Sequence, residues 1–148
     1  MGGKGMKAKH ITGKSVEIKQ PAHLLFGTFS DLRNFVARLP EDKKEGITVT
    51  EDTIEGSIKG ITLGAAVAQR LPFSLIRITD YSADGSKPIF PFEVTIHFNA
   101  KDEQTTEFHI ELDAGLSGIM KIMIGGKLQD AVDRITEQIA MAAEGRLA

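Results

Sequence analysis

The sequence predicts an α+β fold, and three observations predict it. A strand runs straight into two short helices, a run of alternating strands spans Ile47 to Leu112, and a long amphipathic helix follows. Each rests on apolar spacing: a period of two marks a half-buried strand, and a period near 3.6 marks a helix with one buried stripe.

The stretch "VEIKQPAHLLFGTFSDLRNFVARLP", Val16 to Pro40, opens the pattern. In "KSVEIK", Val16 and Ile18 share one face while Glu17 and Lys19 share the other. Pro21 suits a helix start, where its missing N–H costs nothing. Leu24, Leu25, Phe26 and Phe29 then form an apolar stripe. Asp31 is placed to cap a second helix by accepting its free backbone N–H groups. Leu32, Phe35, Val36 and Leu39 supply that helix's buried side until Pro40 stops it.

"EDKKEG" reads as a charged loop. "ITVTEDTIEGSI" is two short strands around Glu51-Asp52, and Lys59-Gly60 is a tight turn. In the strand "ITLGAAVAQRL", strict alternation puts Ile61, Leu63, Ala65, Val67, Gln69 and Leu71 on one face. Thr62, Gly64, Ala66, Ala68 and Arg70 take the other. "SLIRITDY" follows, with Arg77 and Tyr81 on the face of Leu75 and Thr79, and Ile76 and Ile78 opposite. "FEVTIHFN" and "TTEFHIEL" form a hairpin joined around "AKDEQ".

From Ser117 to Ala143, Ile119, Met123, Leu128, Val132, Ile135, Ile139 and Ala142 recur at helical spacing. Gly125-Gly126 conflicts with that helix, because each interior glycine costs up to about 1 kcal/mol relative to alanine. Three explanations stand open. The glycines approach the small-residue face of Gly64, Ala66 and Ala68, or they bend the helix, or "SGIMKIMI" is a separate entry segment.

The chain has 148 residues, 41% of them hydrophobic, enough for one domain with one core. Residues 1–13 read as a flexible tail and residues 14–148 as a single domain. A net charge of -2 with no basic stripe argues against nucleic-acid binding. Without cysteine there are no disulfides, thiolate metal sites or thiol catalysis. No apolar stretch follows the lysines of "MGGKGMKAKH", and no run reaches the roughly 18–20 residues that span a bilayer. The expectation is a soluble, cytoplasmic protein without stable membrane insertion. The sequence sets no oligomeric state.

The carrying stretches are "VEIKQPAHLLFGTFSDLRNFVARLP" and "GLSGIMKIMIGGKLQDAVDRITEQIA". Through them, over roughly residues 14 to 143, the chain resembles the START-like (SRPBCC) superfamily, which includes birch-pollen-allergen-like and polyketide cyclase-like proteins. The resemblance implies the helix-grip fold, a curved antiparallel sheet wrapped around the C-terminal helix. The two short helices form a V at one end, with its point at Ser30-Asp31. It implies a cavity between sheet and helix for a small hydrophobic ligand. The helix is more often continuous in that family, which implies one weakened at Gly125-Gly126. The chain departs from common members in having no tryptophan, with Phe26 where a large aromatic often stands, and in strands that read as short, which implies a smaller cavity.

The hairpin face of Phe92, Val94, Ile96 and Phe98, with Phe108, Ile110 and Leu112, carries no polar side chain. It either packs on the long helix or gives a cavity its apolar wall. The expected ligand-binding residues are Leu63, Val67, Val94, Ile96, Phe98, Phe108 and Ile110 from the sheet, with Phe26, Met123 and Leu128 from the helices. Gln69, sharing the parity of Val67, is the expected inward polar handle, with Arg70 pointing away.

His97 and His109 fall on the opposite, polar face with Glu93, Thr95, Asn99, Glu107, Glu111 and Asp113. They read as surface histidines, and no third zinc ligand is spaced for them, so no metal is expected. There is no HExxH, no GxSxG, no phosphate loop and no dinucleotide fingerprint, so no cofactor is expected. The leading expectation is a non-enzymatic binder or carrier of a small hydrophobic molecule. The alternatives are a polyketide cyclase-like enzyme, for which inward ionisable groups are few, and a co-chaperone-like interaction module.

Overall fold

The computed structural model describes residues 7–37, 40–58, 61–85 and 91–143. Strands β1 (Lys7–Thr12) and β2 (Val16–Ile18) lead into helices α1 (Ala22–Phe29), α2 (Arg33–Val36) and α3 (Glu41–Lys44). Strands β3 (Ile47–Val49), β4 (Thr53–Ile58), β5 (Ile61–Leu71), β6 (Leu75–Asp80), β7 (Phe92–Asp102) and β8 (Thr105–Leu116) follow. The chain then forms α4 (Gly118–Ile124), a 3-10 turn (Gly125–Lys127) and α5 (Leu128–Ala143). The eight strands make one antiparallel sheet in the order β1-β8-β7-β6-β5-β4-β3, with β2 also paired to β8. The helices pack on one face of it, called the inner face below. Strands β5, β7 and β8 run to 11, 11 and 12 residues, so the expectation of short strands does not hold for them.

The core is the inner face of the β7–β8 hairpin with α1 and α5 laid on it. Phe108 and Ile18 are wholly buried, and Leu25, Phe26, Phe29, Ile76, Ile96, Phe98, Ile110, Val132 and Ile139 pack around them. Helix α1 closes one end through rings: Phe26 meets Phe98 at 5.9 Å, and Phe29 meets Phe98 at 6.2 Å and Phe108 at 5.8 Å. The V of short helices turns at Asp31, whose carboxylate accepts the Arg33 backbone N–H at 3.0 Å. The N-cap of α2 is Leu32, which makes no side-chain cap hydrogen bond, so Asp31 stands one residue ahead of the capping position expected of it. A hydrogen bond from the Arg33 guanidinium also holds the Asp31 carboxyl below the usual carboxylate range.

Four expectations change. The expected tail is a strand over Lys7–Thr12, paired with β8 from Thr12↔Glu111 to Lys7↔Leu116. Its pairing partner lies about a hundred residues away, so no local pattern signals it. β1 and β2 form one edge, bent at Gly13, whose N–H donates to the Ile110 carbonyl at 2.8 Å. "EDKKEG" contains one helical turn, α3, entered through Pro40. The C-terminal helix is not continuous but breaks at Gly125–Lys127. The buried stripe of α5 is Val132, Thr136, Ile139 and Ala140, and Ile135 is 52% exposed, as is Ile119 of α4 at 71%. Lys59-Gly60 and Leu39 lie outside the described residues.

The fourth change concerns β5. Its register with β6 runs Val67↔Ile78, then Gln69↔Arg77 and Arg70↔Ile76, with a bulge between. The extra residue, Ala68, inverts the parity of everything after it. Gln69 therefore joins Arg77 on the outer face, and Arg70 joins the buried Ile76 on the inner one. Arg70 donates to the Ser30 carbonyl at 2.7 Å and to Asp52 Oδ1 at 2.6 Å. It thereby ties the point of the V to the β3–β4 connection. The expectation for these two residues is reversed.

Glycines separate close packing from mere tolerance. A Cβ on Gly64 would lie 2.3 Å from the Tyr81 carbonyl oxygen, and one on Gly13 would lie 2.7 Å from Val132 and 2.9 Å from the Ile110 carbonyl oxygen. A Cβ on Gly126 would meet nothing within 4 Å, so close approach does not explain that residue. In urea unfolding, Gly64→Ala and Gly13→Ala should each destabilise by about 1–3 kcal/mol, the cost of overpacking. Gly126→Ala should be neutral or stabilising by up to about 1 kcal/mol. Equal effects at all three positions would contradict this account. Arg70→Ala should cost about 1–2 kcal/mol through its charged hydrogen bonds, and Gln69→Ala clearly less. The reverse ranking would restore the unbulged register.

Candidate functional site

The expected ligand wall divides in two. Phe26, Ile96, Phe98, Phe108 and Ile110 are buried and touch one another, so they form a filled floor. Val67 and Val94 are half-buried beside it, as are Ile54, Ala65 and Leu112, and Leu128 joins them from α5. Leu63 shares the face of Ala65 and Val67 but is 38% exposed, at the open end. Gln69 is not part of this surface. The Met123 side chain lies outside the described ones.

Three polar side chains around this apolar surface, Arg70, Asp80 and Thr106, are engaged. Arg70 is held by Ser30 and Asp52, and Asp80 accepts the Phe92 N–H at 3.0 Å. The hairpin face expected to carry no polar side chain does hold one, Thr106, which shares the parity of Phe108, and its fully buried hydroxyl donates to the Gln20 carbonyl at 2.8 Å.

A separate cleft of about 700 Å³ opens between the start of α1 and the tip of the β7–β8 hairpin, lined by Ala22, His23, Phe73, Ala100 and Gln104 among others. Phe73 is the key residue there. Its φ is 64°, unusual for a bulky side chain, and the residue is 56% exposed. It meets Phe26 edge-on at 5.8 Å and His23 at 6.3 Å. None of the expected ligand residues lines this cleft, although Phe26 touches its rim through Phe73. "LPFS" marks a turn in the sequence but gives no sign that its phenylalanine turns outward.

The outer face holds a second constellation. His97 and His109 are cross-strand partners, with ring centroids 4.5 Å apart and planes 8° from parallel. The parity argument placed them correctly on the outer face, but they are half-buried rather than freely solvated. The expectation that no third ligand accompanies them fails. Glu111, two residues beyond His109 on the same face, bonds His97 Nε2 through Oε1 at 2.6 Å. That signal was legible, since period two already grouped Glu111 with His109. On the neighbouring strand, His10 Nδ1 pairs with Asp113 at 2.6 Å, and His10 Nε2 lies 3.7 Å from Glu111.

The hydrogen bond and charge of Asp113 raise the pKa of His10 above its ordinary value. Burial lowers that of His109, helped by repulsion from His97. An NMR titration should therefore find His10 above 6.5 and His109 below it. Asp113→Asn should bring His10 down and leave His109 where it was.

No protein-family model and no curated protein matches the chain. Solved structures do. The Mll3558 protein from Rhizobium loti is similar with a TM-score of 0.63 at 17% identity, over 96% of this chain and 99% of that one. A norcoclaurine synthase point mutant from Thalictrum flavum, in complex with a transition-state analogue, gives a TM-score of 0.65 at 9% identity, over 97% and 98%. Another structure of that enzyme holds dopamine and hydroxybenzaldehyde. The Aha1 dimer from Colwellia psychrerythraea gives 0.62 at 13% identity, over 94% and 98%. At these identities the likeness is one of fold, and it spans nearly the whole chain. The chain therefore shares the helix-grip fold of these structures.

Proposed function

We propose that this protein binds or carries a small hydrophobic molecule between the sheet and its C-terminal helices, without chemical conversion. One observation carries the reading: the inner face continues past its filled aromatic floor as the half-buried apolar patch of Ile54, Ala65, Val67, Val94 and Leu112. A ligand seated there would gain about 25 cal/mol for each Å² of apolar surface removed from water. Phe26, Ile96, Phe98, Phe108 and Ile110 would form the floor, with Leu63, Val67, Val94 and Leu128 at the open side. The small-molecule complex of norcoclaurine synthase, on the same fold, is consistent with such use. The engaged state of Arg70, Asp80 and Thr106 favours a carrier over a cyclase-like enzyme, which needs ionisable groups free at the reacting centre.

A second reading, an interaction module, is favoured by one feature. Ile119 and Ile122 on α4 are 71% and 86% exposed. Side chains of this kind presented together mark a surface for a partner.

Native mass spectrometry of the purified protein should show a reproducible small-molecule adduct over the denatured chain mass. Val67→Phe and Val94→Phe, which intrude on the patch, should weaken binding of an apolar fluorescent dye at least tenfold. Leu71→Ala, on the outer face, should leave it unchanged. A clean apo mass with no dye binding would remove the carrier reading and leave the α4 surface as the leading one.

A further inference from the structure

Three of the chain's four histidines gather in one patch of the outer face, contributed by β1, β7 and β8. Strand geometry explains how. Alternation puts His109 and Glu111 on one side of β8, and antiparallel pairing sets His97 directly across from His109. We propose that His97, His109 and Glu111 bind a divalent transition-metal ion of the zinc class on this outer face, away from the apolar patch.

The ligating atoms of these residues lie within 4.8 Å of one another. Tetrahedral zinc ligands stand about 3.3 Å apart, given metal–ligand distances of about 2.0–2.2 Å. An imidazole ligates in its own ring plane, so His97 and His109 must turn out of their parallel stack about their side-chain torsions to close that gap, with the backbone fixed in paired strands. An ion between them would take the place of the short His97–Glu111 hydrogen bond. It would also be held by His109, whose ring stacks on that of His97. Two imidazoles and one carboxylate suit zinc, cobalt or nickel, whereas calcium and magnesium take oxygen donors.

The surroundings suit a cation as well. His10 Nε2 stands 3.7 Å from the second oxygen of Glu111, at the open side of the set. Its Nδ1 is engaged by Asp113 at 2.6 Å, the carboxylate–histidine arrangement that orients an imidazole beside a metal. Glu107 adds negative charge on the same face, and Arg77 is paired with Glu93 at 3.3 Å. His97 and Glu111 are 29% and 31% exposed, open enough for an ion to enter and sheltered enough to hold it.

The test is a titration of the full, tag-free chain with Co²⁺, followed by visible absorption and by displacement with Zn²⁺. One equivalent should bind with the spectrum of a site of low coordination number, and Zn²⁺ should abolish the spectrum. Loss of an outer-sphere partner costs metal affinity roughly 10–100-fold, so His97→Ala, His109→Ala and Glu111→Gln, which remove ligands, should each exceed that range, and Asp113→Asn, whose carboxylate engages His10 rather than a ligand, should fall below it. His23→Ala, remote from the patch, should bind as the wild type does. Circular dichroism of each variant checks that the fold survives. Wild-type affinity no greater than that of the His97→Ala/His109→Ala double variant would overturn the proposal. The patch would then be a metal-free imidazole–carboxylate network.

Discussion

The packing of α1 onto the β7–β8 hairpin is the contact on which the rest of the arrangement depends. An eight-residue helix is too short to be stable in water by itself, and α1 has no side-chain cap. Phe26 and Phe29 supply the missing stability by meeting Phe98 and Phe108, with Leu25 buried beneath them. Such ring pairs contribute about 0.5–1.5 kcal/mol each beyond the area they bury. Once α1 is seated, the point of the V falls where the Ser30 carbonyl can accept from Arg70, so the far side of the sheet is tied to the same corner.

That corner and α5 divide the inner face. Helix α5 lies along the β1, β2 and β8 side, with Gly13 letting Val132 come close to the bent edge. The aromatic floor fills the middle. The patch toward β4 and β5 receives less cover, and its apolar residues stay half-buried. A fold that packed both ends equally would leave no such surface. The proposed binding of a hydrophobic molecule rests on this uneven cover.

The two candidate sites share one origin. In a strand, successive side chains point to opposite faces, so the residues that build the apolar floor alternate with those that build the histidine patch. Phe98 and Ile96 flank His97, and Phe108 and Ile110 flank His109. The well-packed floor therefore also holds rigid the backbone that carries His97, His109 and Glu111. A ligand inside and an ion outside would share β7 and β8 without sharing a side chain.

By itself the sequence determined whatever depends on near neighbours. The period-two runs, the break between the short helices at Ser30-Asp31, the hairpin and the inward row of Phe98, Ile96 and Val94 were legible because each follows from spacing along one segment. The break near Gly125-Gly126 was legible as a conflict, and a separate entry segment before the last helix was one of its three readings. Tertiary structure decided the rest. Lys7–Thr12 became a strand because β8 offered an edge distant in sequence. Ala68 became a bulge where β5 meets β6, and that one residue exchanged the faces of Gln69 and Arg70. Ile119 and Ile135 were left exposed although their spacing suits burial, because a helix buries only what a neighbouring surface reaches. Pairing and coverage are non-local, and alternation along one strand carries no record of them.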